Sequence, residues 1–170
     1  MQPVVETQRL LVTLLAPDMA KDLYINSQDD DMRRFVPDEV WESEQEAAEI
    51  IDQLIHAYGT ADGPFVYAVQ TRQGRNIGYV QACRLEAGFE VGYHIARPWT
   101  GQGYATEALS AFLPFIAEKL EEELLLGVVL EENAASQRVL EKCSFVLKEI
   151  RTALYQGKLC PLRVYQWKRG

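Results

Sequence analysis

FEVGYHIARPWTGQGYATEA, residues 89–108, reads as a strand from Phe89 to Ile95, a short loop holding Pro98 and two glycines, and a helix opening near Gly103. Gly101 and Gly103 bracket the turn, so backbone N–H groups can approach a ligand with no Cβ in the way. The helix N-terminus behind them adds unpaired donors and a partial positive charge, which together suit a phosphate or pyrophosphate. Two other phosphate loops are excluded, because no Lys-Ser/Thr follows the glycines and their spacing is not the dinucleotide fingerprint. A turn of this kind also serves simply to join a strand to a helix, so its neighbours must decide.

Upstream, strands at Phe65–Thr71, Asn76–Leu85 and Phe89–Ile95 are separated by Gln73-Gly74 and Ala87-Gly88, which predicts an antiparallel meander. Before them, Ser43 to Tyr58 is the clearest helix. Ser43 and Glu46 form a capping box, Ala47, Ile50, Ile51, Leu54, Ile55 and Tyr58 make one apolar stripe, and Gly59 ends it. His56 falls on the opposite, solvated face. Glu6–Leu15 is strand-like, and Pro17-Asp18 open a short helix with Met19, Leu23 and Tyr24 on its apolar side. Gln28–Trp41, with its run Asp29-Asp30-Asp31, reads as a solvated connection between helices.

Downstream, Ala105, Ala108, Leu109, Phe112, Ile116 and Leu120 form a helical stripe, and Pro114 predicts a kink or an early end. LLLGVVL, Leu124–Leu130, has the continuous apolar character of a strand buried on both faces. A short helix over Glu132–Lys142 follows, then strands at Phe145–Leu154 and Leu162–Lys168 turned at Gln156-Gly157-Lys158. No repeat, linker or low-complexity segment interrupts the 170 residues, which predicts one domain over 1–170.

Hydrophobic content of 48% and charged content of 25% are those of a soluble globular chain. No apolar run reaches membrane-spanning length and no signal pattern opens the chain. Cys83, Cys143 and Cys160 lack metal-ligand spacing and read as free thiols in a reducing cytoplasm, so neither membrane nor metal is expected. A net charge of -8 argues against nucleic acid and favours cationic partners such as amines.

Thr100-Gly101-Gln102-Gly103-Tyr104-Ala105 resembles the acetyl-CoA loop of the GNAT acetyltransferase superfamily, Gln/Arg-x-x-Gly-x-Gly/Ala, with Thr100 in place of the first residue. ETQRLLVTLL resembles the opening of the RimJ/RimL-like branch, with Thr13 replacing its second arginine. Asn133-Ala134-Ala135-Ser136 followed by Arg138-Val139-Leu140-Glu141-Lys142 is similar to that branch's N-x-x-S-x-R-v-l-e-k signature. The resemblance covers essentially the whole chain. It implies an α/β (α+β) fold: a mixed central sheet of about seven strands, with the fourth and fifth splayed apart, and about four helices.

The same resemblance implies acetyl-CoA as cosubstrate and acetyl transfer to an amine, either a protein N-terminus or a small molecule. The backbone of His94, Ile95 and Ala96 would then hold the pantetheine arm and polarise the thioester, while Gly101, Gln102, Gly103, Tyr104, Ala105 and Thr106 take the pyrophosphate. Asn133 would bond the pantetheine amide. Read structurally, it is also a good helix N-cap. Where many members place a tyrosine acid this chain has Leu140, which shifts the acid role to Ser136. Several members place the general base at the position of Glu90. His94 shares its strand face and has the better intrinsic pKa, and an ordered water is a third route. The segment between the first helices shapes the acceptor pocket in the family, which brings in Phe35 and Trp41. Ser144 stands where the family has a glycine that often needs positive φ, and Pro161 ends Gly157-Lys158-Leu159-Cys160-Pro161 where N-terminal acetyltransferases often have Asp. Oligomeric state is left open, a homodimer being what the resemblance offers. The rival reading is a non-catalytic acyl-CoA-binding module.

Overall fold

A computed structural model describes residues 2–155 and 157–170. One eight-stranded sheet carries the chain, in the order β1-β2-β3-β4-β5-β6-β8-β7. Its strands are β1 (Val5–Glu6), β2 (Leu10–Leu14), β3 (Phe65–Thr71), β4 (Asn76–Leu85), β5 (Gly88–Ile95), β6 (Leu124–Leu130), β7 (Val146–Tyr155) and β8 (Lys158–Lys168). The helices are α1 (Ala20–Asn26), α2 (Asp30–Phe35), α3 (Glu44–Ala57), α4 (Tyr104–Leu120) and α5 (Ala134–Lys142), with short 3-10 turns at Pro17–Met19, Pro37–Glu39 and Arg97–Trp99. Every neighbouring pair is antiparallel except β5 with β6.

The alternation of each strand sends its residues to two cores. On one face, Leu10, Val12, Tyr67, Phe89 and Val91 pack with Leu109, Phe112 and Ile116 of α4 and with Leu140 of α5. On the other, Val66, Ala68 and Tyr79 meet Leu23 of α1 and Ala47 and Ile51 of α3. Ser43 caps α3 by accepting the Glu46 N–H at 3.0 Å, and the Glu46 carboxylate turns back to the Glu42 N–H. The fourteen residues of α3 therefore begin where the capping box predicts.

Several expectations need correction. Glu6–Leu15 is not one strand: Thr7 bonds the Leu10 N–H through its hydroxyl, turning the chain into a β1–β2 hairpin. That hairpin raises the strand count from seven to eight. The polar segment Gln28–Trp41 contains α2, capped by Asp29 accepting the Met32 N–H at 2.8 Å and anchored by buried Met32, which adds a fifth helix. Pro114 does not end α4, which continues to Leu120. β6 is not buried on both faces, since Leu124 is exposed and Leu126, Val128 and Val129 are only half-buried. β8 begins at Lys158 and passes through Pro161, which lies just beyond the last β6 pairing, Leu130 with Leu162. The turn expected at Gln156-Gly157-Lys158 includes Gln156, which lies outside the described residues. Ser144 has the positive φ its position demands, at 67°. Among the described residues, no helix is long and apolar enough to cross a membrane.

Candidate active site

β5 and β6 run parallel yet share a single registered pair, Glu90 with Leu126. Beyond it the strands diverge toward their C-terminal ends, leaving a slit through the sheet. A cavity of about 930 Å³ occupies this slit, lined by Val91–Ile95 on one side and Gly127–Leu130 on the other. This explains the incomplete burial of Val128 and Val129 in β6, which border the opening. α4 and α5 each begin just past the strands that form the slit, so two helix N-termini meet at its mouth. Phe35, Tyr155 and Arg151 close it from the α2 and last-hairpin side, and the Tyr155 hydroxyl bonds the Phe35 carbonyl.

The divergence frees backbone groups on alternate residues of β5. The Ala96 N–H donates to Ile77 O at 2.8 Å, so it belongs to the β4 side. The His94 carbonyl also lies toward β4, where a Cβ on Gly78 would collide with it. Ile95 and Tyr93 therefore present their amides and carbonyls to the slit. Of the three residues expected to hold the pantetheine arm, only Ile95 offers free backbone, and Tyr93 takes the second place.

The glycine loop fits a diphosphate. Gly101 and Gly103 adopt φ of 73° and 82°, and a Cβ at Gly101 would meet nothing within 4 Å. Among the described residues no side chain caps the N-terminus of α4, so its first N–H groups are left for a ligand. Gly101, Gly103, Tyr104, Ala105 and Thr106 all line the cavity. Gln102 does not. Its side chain folds onto Pro98 O at 3.3 Å. Gln102 and Ala96 line instead a separate hollow of about 440 Å³ behind the loop.

Arg9 pins this loop from the turn just before β2. Its guanidinium donates to the Gln102 carbonyl at 2.9 Å and to Glu107 at 2.6 Å, and its plane lies 4.2 Å from the Tyr104 ring centroid. Thr7 and the Arg9 N–H hold the same Glu107 carboxylate. Burial alone would raise the Glu107 carboxyl, but these bonds outweigh it and hold the pKa low, keeping an anion in the first turn of α4. The ETQRL opening thus has a physical reason that sequence reading missed.

On the α1/α3 face of the slit, Glu90, Gly92 and His94 share one side of β5, opposite Cys83, Gln81 and Tyr79 of β4. Among the described residues the Glu90 carboxylate meets no hydrogen-bond or ion-pair partner. Burial, and then the charge of Glu39, raises its carboxyl above the ordinary value of 4.5. Glu39, missed by sequence reasoning, reaches the same face from the 3-10 turn after α2. Gln81 Nε2 donates to its Oε1 at 2.9 Å and the Tyr79 hydroxyl to its Oε2. Burial also raises Glu39, against the Gln81 bond and with help from Asp38. Cys83 lies opposite Glu90, and burial with the two carboxylates pushes its thiol up to about 12, so it stays protonated. His94 is tied to the Asn26 carbonyl at 3.1 Å and lies 3.4 Å from Asp29, and burial pushes its imidazole down. Its Nε2 proton is thereby committed to the α1 end.

On the α4/α5 face, Asn133 caps α5 by accepting the Ser136 N–H at 3.2 Å. Tyr93 brings its hydroxyl 2.6 Å from Ser136 Oγ and 2.8 Å from Ser136 O. Leu140, where other members carry a tyrosine, is buried against Gly127. The phenol that meets Ser136 belongs to Tyr93 of β5. Strand alternation could have found it, since it places Tyr93 opposite Glu90 and toward α5. Phe35, Glu90, His94, Asn133 and Ser136 all line the cavity, but Trp41 does not. Trp41 packs against the α1/α3 core, and its carbonyl accepts from Gln28 Nε2 at 2.7 Å. Among the described residues, no group of three or more His, Cys, Asp or Glu could hold a metal ion.

The acetyltransferase (GNAT) domain family matches residues 9–146. A relative from Bacillus subtilis strain 168, the uncharacterized N-acetyltransferase YoaA, is 25% identical over 162 residues, covering 92% of this chain and 91% of its own. Among solved structures, the ribosomal L7/L12 alpha-N-protein acetyltransferase RimL in complex with coenzyme A superposes with a TM-score of 0.83 at 18% identity, over 98% of this chain and 97% of the other. An acetyltransferase from Salmonella typhimurium that modifies the N-terminal serine of L7/L12 gives 0.82 at 16% identity, over 99% of each chain. These two likenesses bear on the fold alone, and the fold agrees with the RimJ/RimL-like resemblance. With its splayed β5–β6 pair and the glycine loop that follows, this chain belongs to the GNAT acetyltransferase family.

Proposed function

We propose that this acetyltransferase moves the acetyl group of acetyl-CoA directly onto a primary amine, with Glu90 as general base and Ser136, backed by Tyr93, as the proton donor to sulfur. The observation that carries the reading is the slit between β5 and β6, with Glu90 on one face of the sheet and the Ser136–Tyr93 pair on the other. Acetyl-CoA, when bound, supplies the activated acyl group. The α4 N-terminus with Gly101 and Gly103 holds its diphosphate, Asn133 and the free backbone of β5 hold the pantetheine arm, and the Ile95 N–H polarises the carbonyl.

The amine enters from the Glu90 side and arrives as an ammonium ion. Glu90, raised by burial, accepts one of its protons, and the freed lone pair forms the C–N bond as the C–S bond breaks. The second nitrogen proton replaces the one that Ser136 gives to sulfur. No covalent enzyme intermediate is needed, and the protonated Cys83 is no nucleophile. A cytoplasmic enzyme acting on a small amine or a protein N-terminus is consistent with the fold.

Thiol release from acetyl-CoA, measured over a panel of small amines and N-terminal peptides, tests this. Turnover that depends on Glu90 supports it. Tight binding of acetyl-CoA with no turnover on any acceptor would instead favour the non-catalytic acyl-CoA-binding module.

A further inference from the structure

Glu39 is held in the acceptor half of the cavity by a dedicated arrangement. Pro37 opens the 3-10 turn that carries it, and the turn lies between α2 and α3. Its two carboxylate oxygens each receive one neutral donor, Gln81 Nε2–H and Tyr79 O–H. Tyr79 is only 7% exposed and its ring packs 5.8 Å from that of His94, so this donor cannot swing away freely. Across the ladder, Gln81 faces Gly92, and a Cβ there would stand 2.8 Å from Gln81 Nε2. A bare position at 92 is what leaves the Gln81 amide room to turn toward Glu39.

Neutral donors fix the carboxylate's direction but leave its charge uncompensated. No cation lies within ion-pair distance of Glu39 or Glu90 among the described residues. Arg34 pairs with Glu132, Arg151 with Glu149 and Arg163 with Glu131. Two like charges sharing a partly dry cavity repel each other, and that repulsion is relieved by a proton or by a bound cation. Glu90 is neutralised when it takes the proton of the reacting amine. Glu39 receives no proton in that step, and its carboxylate oxygens still face the acceptor half of the cavity.

We propose that Glu39, oriented by Tyr79 and Gln81, anchors a second positive group on the acceptor, so that the acceptor class is amines carrying another cation near the reacting nitrogen. The Gln81/Gly92 level, where Glu39 docks, is two residues along the strands from Cys83/Glu90, a rise of roughly 6–7 Å. A short diamine spans that interval, and so does a peptide whose free N-terminus precedes a lysine. The inference rests on the reading of this cavity as the acceptor site.

Matched acceptor pairs test it with the full-length protein and acetyl-CoA: 1,4-diaminobutane against n-butylamine, and Ala-Lys amide against Ala-norleucine amide. Expected is a preference for the dicationic member of at least one pair by about 10- to 100-fold in kcat/KM, the range of a charge-assisted contact. The pair that shows it identifies the source of the cation. In Glu39→Gln the preference collapses toward one, chiefly through KM for the dication. In Tyr79→Phe, which keeps the ring and both carboxylates, it falls part of the way. Turnover of all four amines with no preference in the wild type, or a preference unchanged in Glu39→Gln, overturns this inference alone. Binding of acetyl-CoA with no turnover of any amine overturns the acceptor reading and this inference together.

Discussion

Glu90→Gln should make the protein slower and more stable at once. The carboxylate is half-buried, meets no hydrogen-bond or ion-pair partner among the described residues, and is pushed upward by burial and by Glu39. A group whose folded pKa is raised contributes stability that is fully present below its unfolded value, near 4.5, and that is lost as pH rises through the folded value. Above that window the wild type carries an unpaired charge that the near-isosteric amide lacks. Relieving such a group is worth about 1–3 kcal/mol, and its residual exposure argues for the lower half of that range. At roughly 2–4 °C per kcal/mol for a chain of this size, the expected rise in Tm is about 2–8 °C at pH 8. The gap should close near pH 4, where both side chains are neutral. Loss of a general base lowers kcat/KM by roughly 100- to 10,000-fold, and by less at high pH where the amine is already deprotonated. Thermal melts from pH 4 to 9, with thiol-release kinetics over the same range, provide the readout. A Tm difference independent of pH, or a rate loss that is flat across it, refutes the reasoning.

Three further outcomes follow from the geometry. If Ser136, hydrogen-bonded to Tyr93, is the proposed donor to sulfur, Tyr93→Phe should lower kcat/KM with acetyl-CoA about tenfold and cost less with an acetyl thioester of a more acidic thiol; equal losses on both thioesters contradict the relay. Arg9→Ala should raise KM for acetyl-CoA and lower Tm by a few degrees, because it frees the Gln102 carbonyl and removes the guanidinium from Glu107, which keeps only Thr7 and the backbone N–H of residue 9; an unchanged KM would show that the loop holds itself. Ser144→Gly should stabilise by about 0.5–1 kcal/mol, the relief of a left-handed serine less the extra freedom of glycine in the unfolded chain. A lower Tm in that variant removes strain from position 144.

What could be read from the sequence was whatever is decided locally. The strands Phe65–Thr71 and Asn76–Leu85, the capped α3 and the glycine loop are set by turn residues, side-chain period and capping within a few positions, and they stand where expected. α2 escaped because it is six residues long with one buried apolar side chain, Met32, too little for a period to show. The β1–β2 hairpin escaped because Thr7 turns the chain with no glycine or proline to mark it. In the site, strand alternation put Glu90 and His94 on one face correctly. Glu39 was hidden because it is defined by a partner distant in sequence, Gln81, and no spacing encodes that meeting; alternation put Tyr93 on the opposite face from Glu90, but its contact with Ser136 lies 43 residues away. The continuous apolar run of β6 misled for a physical reason: Val128 and Val129 are apolar where the strand borders the slit, not because protein covers them.

The most direct test is a calorimetric titration of the purified protein with acetyl-CoA. Saturable binding of one molecule per chain, weakened when Gly103 is replaced by alanine, is the expected result. A chain that takes up neither acetyl-CoA nor coenzyme A would contradict the account, whatever its sheet resembles.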